Sequence, residues 1–591
     1  MRYRILCLLS LWTWAVFAEN VSREEASRIA MEFMNRHPSR GGVKELRMVY
    51  DGVTGLARST GEAPALYVFD NPNGKGFVIV AGDDIAAPVL GYSYETDFPE
   101  GTLPPNVEGW LQSLEKQIND GRKYGVAPGL SSRSALPKGE VLVQLETALW
   151  NQGTPYNQFC PKLTDGGYDG GFPPTGCVIT ATAIVMYYHR WPEKGVGTLP
   201  EYTFGPNETV VPAVELGHVY NWDQMLPEYH SGKYTIEEGE QVARLMADLG
   251  VMLQAQYDAS GTSAFTFQIG QLLSTYMGYD KSAYEYNRYE LPEEDWHLLM
   301  TKELQEGRPI IYSGSNESAG HAFVLDGFTT DRYYSINWGW GGYCNGFFLL
   351  NALVPSGSGV GGNDDHYNFN QSAVVGLKPD EGGDYVERIM LGGTGLSTPA
   401  ETIERNQPFT LLTDWVGNRG GTVFNGTILW ALTDREGKIK EELATLSYNG
   451  LKPGWGWGDV QRTCTITVPM AIGDRIRIFY KSDRTPEWTV IKAGEDCTWE
   501  LLVTDEFTIE ESTVVRYHKP EGTLEVTTKE GVAVQLLSEA GVPLGECCSS
   551  EGVKTVIRTQ GLPAGTYVLQ LKKTFEDCQV RIKLGDSSST N

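Results

Sequence analysis

A chain of 591 residues is too long for one hydrophobic core and predicts three or four domains. A hydrophobic content of 41% and an aromatic content of 11% suit packed globular units, while a formal charge of −27 argues against sequence-independent binding to nucleic acid or anionic lipid. The chain opens with Arg2 and Arg4, continues in an apolar run from Ile5, and reaches a small-x-small finish at Val16-Phe17-Ala18. That pattern predicts a signal peptide over 1–18, hence bacterial export to the medium or the cell surface. The run is too short to span a membrane, and no later stretch is long enough. Export permits disulfides among Cys160, Cys177, Cys344, Cys464, Cys497, Cys547, Cys548 and Cys578, in a connectivity that spacing leaves open. No C-x-x-C pair with histidine spacing is present, so no metal site is expected.

Residues 19–139 read as a first α+β unit. "VSREEASRIAMEFMNRH" has a helical apolar period, with Ser22 as its cap. "ALYVFDN" and "GFVIVAGD" predict a hairpin around "PNGK", and "NVEGWLQSLEKQIND" predicts a second helix. "GLSSRSALPKGE" lacks any apolar period and reads as an exposed linker. Residues 140–379 follow the α+β order, helices first and strands later. Helices are expected at "VLVQLETALWNQ", after Cys177 and at "GEQVARLMADLGVMLQ"; strands at "PIIYSGS", "HAFVLDGF", "YYSINWGWGG", "GFFLLNAL" and "QSAVVGLKP". A polar, Gly-rich step at "LKPDEGGDY" introduces residues 380–512, whose alternating runs predict a β-sandwich, and residues 513–591 form a further β-rich block.

Four places carry chemistry. Cys177 sits where a Pro-Gly loop turns into an apolar helix, and a helix N-terminus favours a thiolate. Gly176 before it would leave room for a substrate carbonyl near the backbone. His321 opens a strand between the small residues Gly320 and Ala322, which would keep an imidazole open to a cleft; it follows Cys177 within the ~130–150 residues that separate Cys and His in papain-like enzymes. Asn337 could accept a hydrogen bond from the imidazole, with Trp338 and Trp340 shielding it from water. The Gln152 amide could serve an oxyanion together with the Cys177 N–H.

The phrases "WNQGTPYN", "PTGCVITATAIVMYYH", "GHAFVLDGF", "INWGWGG" and "QSAVVGLKP" together resemble the streptopain family of papain-fold cysteine peptidases. The resemblance implies a papain-like catalytic domain with Cys177 as nucleophile and His321 as general base and acid. It implies Gln152 as oxyanion donor, and Asn337 and Trp338 as the pair beside the histidine. "YDASGTSA" is similar to a substrate-pocket stretch, which adds Ser260 and Ser263 to Gly176 and Gly320 as substrate-binding candidates. The family's glycine-rich segment corresponds to "GSGVGGNDDHYNFN", here made acidic by Asp364 and Asp365. "GFVIVAGDDIAAPVLGYS" resembles the family's propeptide, which implies a zymogen inhibited by its own propeptide and opened by a cut between about Ser131 and Val141. The last block is similar to C-terminal sorting domains of type IX secretion, and an adhesion module giving cell-surface attachment fits the same pattern. The implied activity is hydrolysis of protein or peptide substrates through a thioester acyl-enzyme, without metal or organic cofactor and without a nucleic-acid partner. Two rivals share these residues: a surface-binding β-sandwich protein with an inactive peptidase domain, and a thiol acyltransferase.

Overall fold

The structure, a computed structural model, describes residues 20–584 except 37–42, 52–62, 99–102, 104, 125–135, 137–138, 164–169, 292, 316–319, 352–370, 401–402, 472–473, 492–497, 503–505 and short connections between the later strands. The signal-peptide stretch, most of the linker and the segment "GSGVGGNDDHYNFN" lie outside the described residues.

Helix α1 (Arg23–Met34) starts at Ser22, whose hydroxyl accepts from the Glu25 N–H at 3.2 Å. It lays Ala26, Ala30 and Phe33 on strands β1 (Arg47–Tyr50), β2 (Leu66–Asp70), β3 (Phe77–Ala81) and β4 (Val89–Ser93). Helix α2 (Pro105–Tyr124) covers the opposite face with Trp110, Leu111, Leu114 and Ile118. A sheet covered on both sides needs no polar face, which is why β2, β3 and β4 are buried at every residue.

The second unit contributes β5 (Val141–Gln144), α3 (Cys177–His189), α4 (Ile236–Met252), α5 (Ile269–Tyr276), β6 (Tyr284–Asn287), α6 (Glu293–Gln305), β7 (Ile310–Ser315), β8 (Gly320–Thr329), β9 (Tyr334–Asn337), β10 (Gly346–Phe348) and β11 (Ser372–Val375). The two units share one eleven-stranded sheet, in the order β1-β2-β3-β4-β10-β9-β8-β7-β11-β6 with β5 beside β8. The seam is β4 on β10, with Tyr92 opposite Phe347 and Gly91 opposite Phe348. A Cβ on Gly91 would stand 2.6 Å from the Phe348 ring, so this approach requires glycine. The Tyr333 hydroxyl, donating to the Val89 carbonyl at 2.5 Å, closes the seam from the side. Helices α3, α4 and α5 bury one face of the second unit's strands; α6 and α2 together bury the other.

The expected helix "VLVQLETALWNQ" is not formed. Val141–Gln144 is a strand and Leu145–Gln152 is irregular. Strand β7 pairs with β8 only as far as Leu325, which leaves the edge from Asp326 to Thr329 unpaired. β5 fills that lane opposite Gly327–Thr329, and the Leu145 N–H donates to the Asp326 carbonyl at 2.7 Å. Pairing those backbone groups outweighs the local helical period.

Beyond Arg388, strands β12 (Ile389–Ser397), β13 (Pro408–Asn418) and β16 (Gly456–Thr465) form one sheet. β14 (Phe424–Thr433), β15 (Ile439–Leu451) and β17 (Arg475–Ser482) belong to a second. Their inner faces share a core around Leu411, Trp430 and Ile478, as a sandwich requires. Two four-stranded sheets follow. Glu506–Glu510 pairs with Thr513–His518 in one of them, so the last β-rich unit begins before residue 513, the start read from composition.

Candidate active site

Helix α3 begins at Cys177 behind Gly176, and every residue from Val178 to Met186 is buried. Gly176 has φ +95°, and a Cβ there would stand 2.6 Å from the Thr262 carbonyl oxygen. The space at this glycine is therefore filled by Thr262 and not left for a substrate, which corrects the reason expected for it. Thr262, buried, also donates to the Pro174 carbonyl at 2.6 Å. No sequence pattern pointed to it, because one loop threonine looks like any other.

Strand β8 runs past the start of α3, and the Ala322 N–H donates to Cys177 Sγ at 3.4 Å. β9 joins β8 only from Val324 onward, so this N–H is free to meet the sulfur. Burial pushes the Cys177 thiol up, against smaller downward pulls from the N–H groups of Ala322, Val178 and Cys177 itself. The thiolate expected at the helix start is thus outweighed here by desolvation. Burial also pulls His321 down to about 4. Strand alternation sets His321 on the face of Phe323 and Leu325, which pack with Trp110 of α2; Ala322 and Val324 face α3.

Gln152 is buried, and its carbonyl accepts from the N–H of Thr175, two residues before Cys177, at 3.0 Å. The segment is held from the far side by the Gly341 N–H on the Trp150 carbonyl at 2.8 Å. Asn337 does not face the imidazole as expected. Its amide donates to Thr147 Oγ1 and to the Ala148 carbonyl, each at 2.9 Å, while its oxygen accepts from the Gly339 N–H at 3.1 Å. Trp338 is a core residue, its indole N–H on the Cys344 carbonyl at 3.0 Å and its ring against Phe323, Phe348 and Trp110. Both residues brace the turn whose Gly341 holds Trp150, two residues before Gln152.

Ser260 and Ser263 lie on the exposed side of the loop anchored by Thr262. Ser260 turns onto Asp258 through its N–H and hydroxyl, and Ser263 exchanges backbone bonds with Gln256. Gly320 is exposed at the start of β8, opposite Ser315. A further group escaped the sequence reading. Asp326, buried, accepts from Thr147 Oγ1 at 2.5 Å and from the Gln144 amide at 3.2 Å, and burial pushes its acid up to about 6. Its signal was a lone carboxylate inside the apolar phrase "HAFVLDGF". Among the described residues no three His, Cys, Asp or Glu side chains are grouped to hold a metal ion, and no helix is long and apolar enough to cross a membrane.

Comparison with known proteins covers the first two units. The Peptidase C10 family model matches residues 150–348, and that of the Spi protease inhibitor matches residues 18–118. Streptopain of Streptococcus pyogenes is 35% identical over 328 residues, 53% of this chain and 81% of that protein. The thiol protease/hemagglutinin PrtT of Porphyromonas gingivalis is 33% identical over 389 residues, 64% of this chain and 43% of its own. The solved prointerpain A fragment of Prevotella intermedia is 30% identical with a TM-score of 0.47, covering 56% of this chain and 98% of that one. With the Peptidase C10 model matched over residues 150–348 behind an inhibitor-like unit, and four fifths of streptopain covered at 35% identity, this chain belongs to the Peptidase C10 family of cysteine peptidases.

Proposed function

We propose that the protein is an exported cysteine endopeptidase made as a zymogen, with the described structure as its latent form. Cys177 is the nucleophile, His321 its proton carrier and Gln152 an oxyanion donor. The observation that carries this reading is that a distant strand meets the sulfur at the helix start: the Ala322 N–H, next to His321, donates to Cys177 Sγ, while the Gln152 carbonyl holds Thr175 two residues before it. A thiol and an imidazole that burial keeps neutral, with α2 packed on the His321 face, support the latent reading. Once the propeptide leaves, the imidazole takes the Cys177 proton and sulfur attacks the peptide carbonyl. The oxyanion is met by the Gln152 amide and the Cys177 N–H, and the imidazolium protonates the leaving amine. Water, deprotonated by His321, then hydrolyses the thioester and frees the thiol.

Asn337 and Trp338 enter as braces of the Gln152 segment. Gly176, Gly320, Ser260 and Ser263 border the path of the substrate. The domain reading is a signal peptide over 1–18, an inhibitory propeptide over 19–139 and a catalytic unit over 140–379, followed by the sandwich and a C-terminal unit that starts near Glu506. The latter serves sorting or attachment at the cell surface. The test is Cys177→Ala, a steric minimum at a helix start. It should leave the fold intact and abolish peptide hydrolysis; activity above ~1% of wild type would remove Cys177 from the role, since losing a covalent nucleophile costs several orders of magnitude.

A further inference from the structure

Glu285, in the middle of β6, ties together segments that the peptidase mechanism does not itself explain. Its Oε1 accepts from Thr266 Oγ1 at 2.5 Å and from Ser372 Oγ on β11 at 2.7 Å. Ser372 Oγ in turn shares a hydrogen bond with Ser313 Oγ on β7 at 2.7 Å, and Ser313 pairs with Ala322, whose N–H meets the Cys177 sulfur. Thr266 closes a short segment that opens at Thr262, the residue pressed against Gly176. Between these two anchors the chain exposes Ser263 and Phe265, the latter 65% exposed. One end of this segment is fixed by the nucleophile turn and the other by Glu285.

The β-sandwich holds the same place from outside. The Arg388 guanidinium lies over the rings of Tyr284 and Tyr286, the two neighbours of Glu285, at 5.6 and 5.1 Å, and pairs with the buried Glu290 carboxylate at 2.5 Å. Gly454, in the turn between β15 and β16, sits so close to Phe267 that a Cβ would stand 2.0 Å from its ring. Arg419, stacked on Trp415 at 5.0 Å, donates its backbone N–H to the Arg388 carbonyl at 2.9 Å and so helps to seat Arg388. Sandwich residues thus contact the residue after Thr266 and both residues flanking Glu285.

We propose that Glu285 is a positioning residue for the substrate-facing segment 262–266, and that the β-sandwich, through Arg388 and the Gly454 turn, fixes that segment and so sets how the peptidase binds polypeptide. The proposal rests on Cys177 being the nucleophile. It concerns substrate binding more than chemistry, because the tie reaches the wall beside the nucleophile and not the reacting atoms.

The test uses full-length enzyme after processing and a long internally quenched peptide, with active sites counted by irreversible alkylation of Cys177. Thr266→Val removes the hydroxyl and keeps the shape; it should raise KM about tenfold with kcat unchanged, the loss expected for one hydrogen bond to a charged group. Thr266→Ser restores the hydroxyl and should restore KM. Glu285→Ala should act as Thr266→Val does, with Glu285→Gln partly restoring KM; if Glu285→Ala fails to fold, the Thr266 pair still reads the same tie. Arg388→Gln should raise KM in the same direction. An unchanged KM in Thr266→Val, or Thr266→Ser as impaired as Thr266→Val, overturns the role of Glu285. A wild-type KM in folded Arg388→Gln overturns the role of the sandwich. Wild-type activity that survives full alkylation of Cys177 would instead overturn the assignment of the nucleophile.

Discussion

At the scale of single residues, Cys177 gains from the N–H groups at its helix start and loses more from burial. The full-length chain should therefore react with iodoacetamide at about pH 6 at least ~10-fold more slowly than processed enzyme, because only the thiolate is nucleophilic. His321→Ala should leave the full-length rate unchanged and slow the processed one; rates for Cys177 that are equal before and after processing would contradict the latent reading. Gly176 gives a second expectation. An alanine there must adopt φ +95° and meet the Thr262 carbonyl, so Gly176→Ala should cost about 2 kcal/mol or more in thermal or urea unfolding. The helix start at Cys177 and the strand start before His321 were legible because small residues and a loop-to-helix switch mark them locally. The partners of Asn337 were not, since its amide is claimed by Thr147 and Ala148, far away along the chain.

At the scale of elements, most helices and strands were legible from their periods, and the exception is instructive. "VLVQ" became a strand because β8 outruns β7, and nothing near Val141 announces the length of a distant strand. The lane is held by Asp326, whose acid burial lifts to about 6. That lies above the ~3.9 of an unfolded aspartate, so the neutral form favours the folded state. The contribution is present below ~pH 4 and is lost as the pH rises through about 6, roughly 3 kcal/mol in all. Asp326→Asn should flatten this part of the stability profile between ~pH 4 and ~pH 7, measured by urea unfolding across that range. A slope identical to wild type would show that Asp326 is not the titrating group.

At the scale of the whole molecule, the polar step at "LKPDEGGDY" reads as a boundary, yet packing continues across it. The Asp280 carboxylate accepts from the N–H groups of Glu381 and Gly383, and the Arg388 side chain lies among Tyr284, Tyr286 and Glu290. A chain ending at residue 379 strips the buried Glu290 of its cation, a loss of about 3–5 kcal/mol. It should be poorly soluble or markedly less stable than one ending at residue 502, as compared by yield and thermal unfolding; equal behaviour would mean that the sandwich is a passenger. The shared eleven-stranded sheet has a kinetic consequence of its own. Severing the linker breaks one peptide bond but none of the β4–β10 hydrogen bonds, and it leaves Trp110 packed on Phe323 and Trp338. Nicking and activation are then separate events, with the severed propeptide behaving as a slowly dissociating inhibitor. Activity should appear after a lag that outlasts the disappearance of the full-length band. The lag should shorten in dilute urea, which loosens the shared core before it unfolds the catalytic unit. Its end would expose the β10 edge, with Phe347 and Phe348 unpaired, and a processed enzyme left without substrate should then pair with itself along that strand.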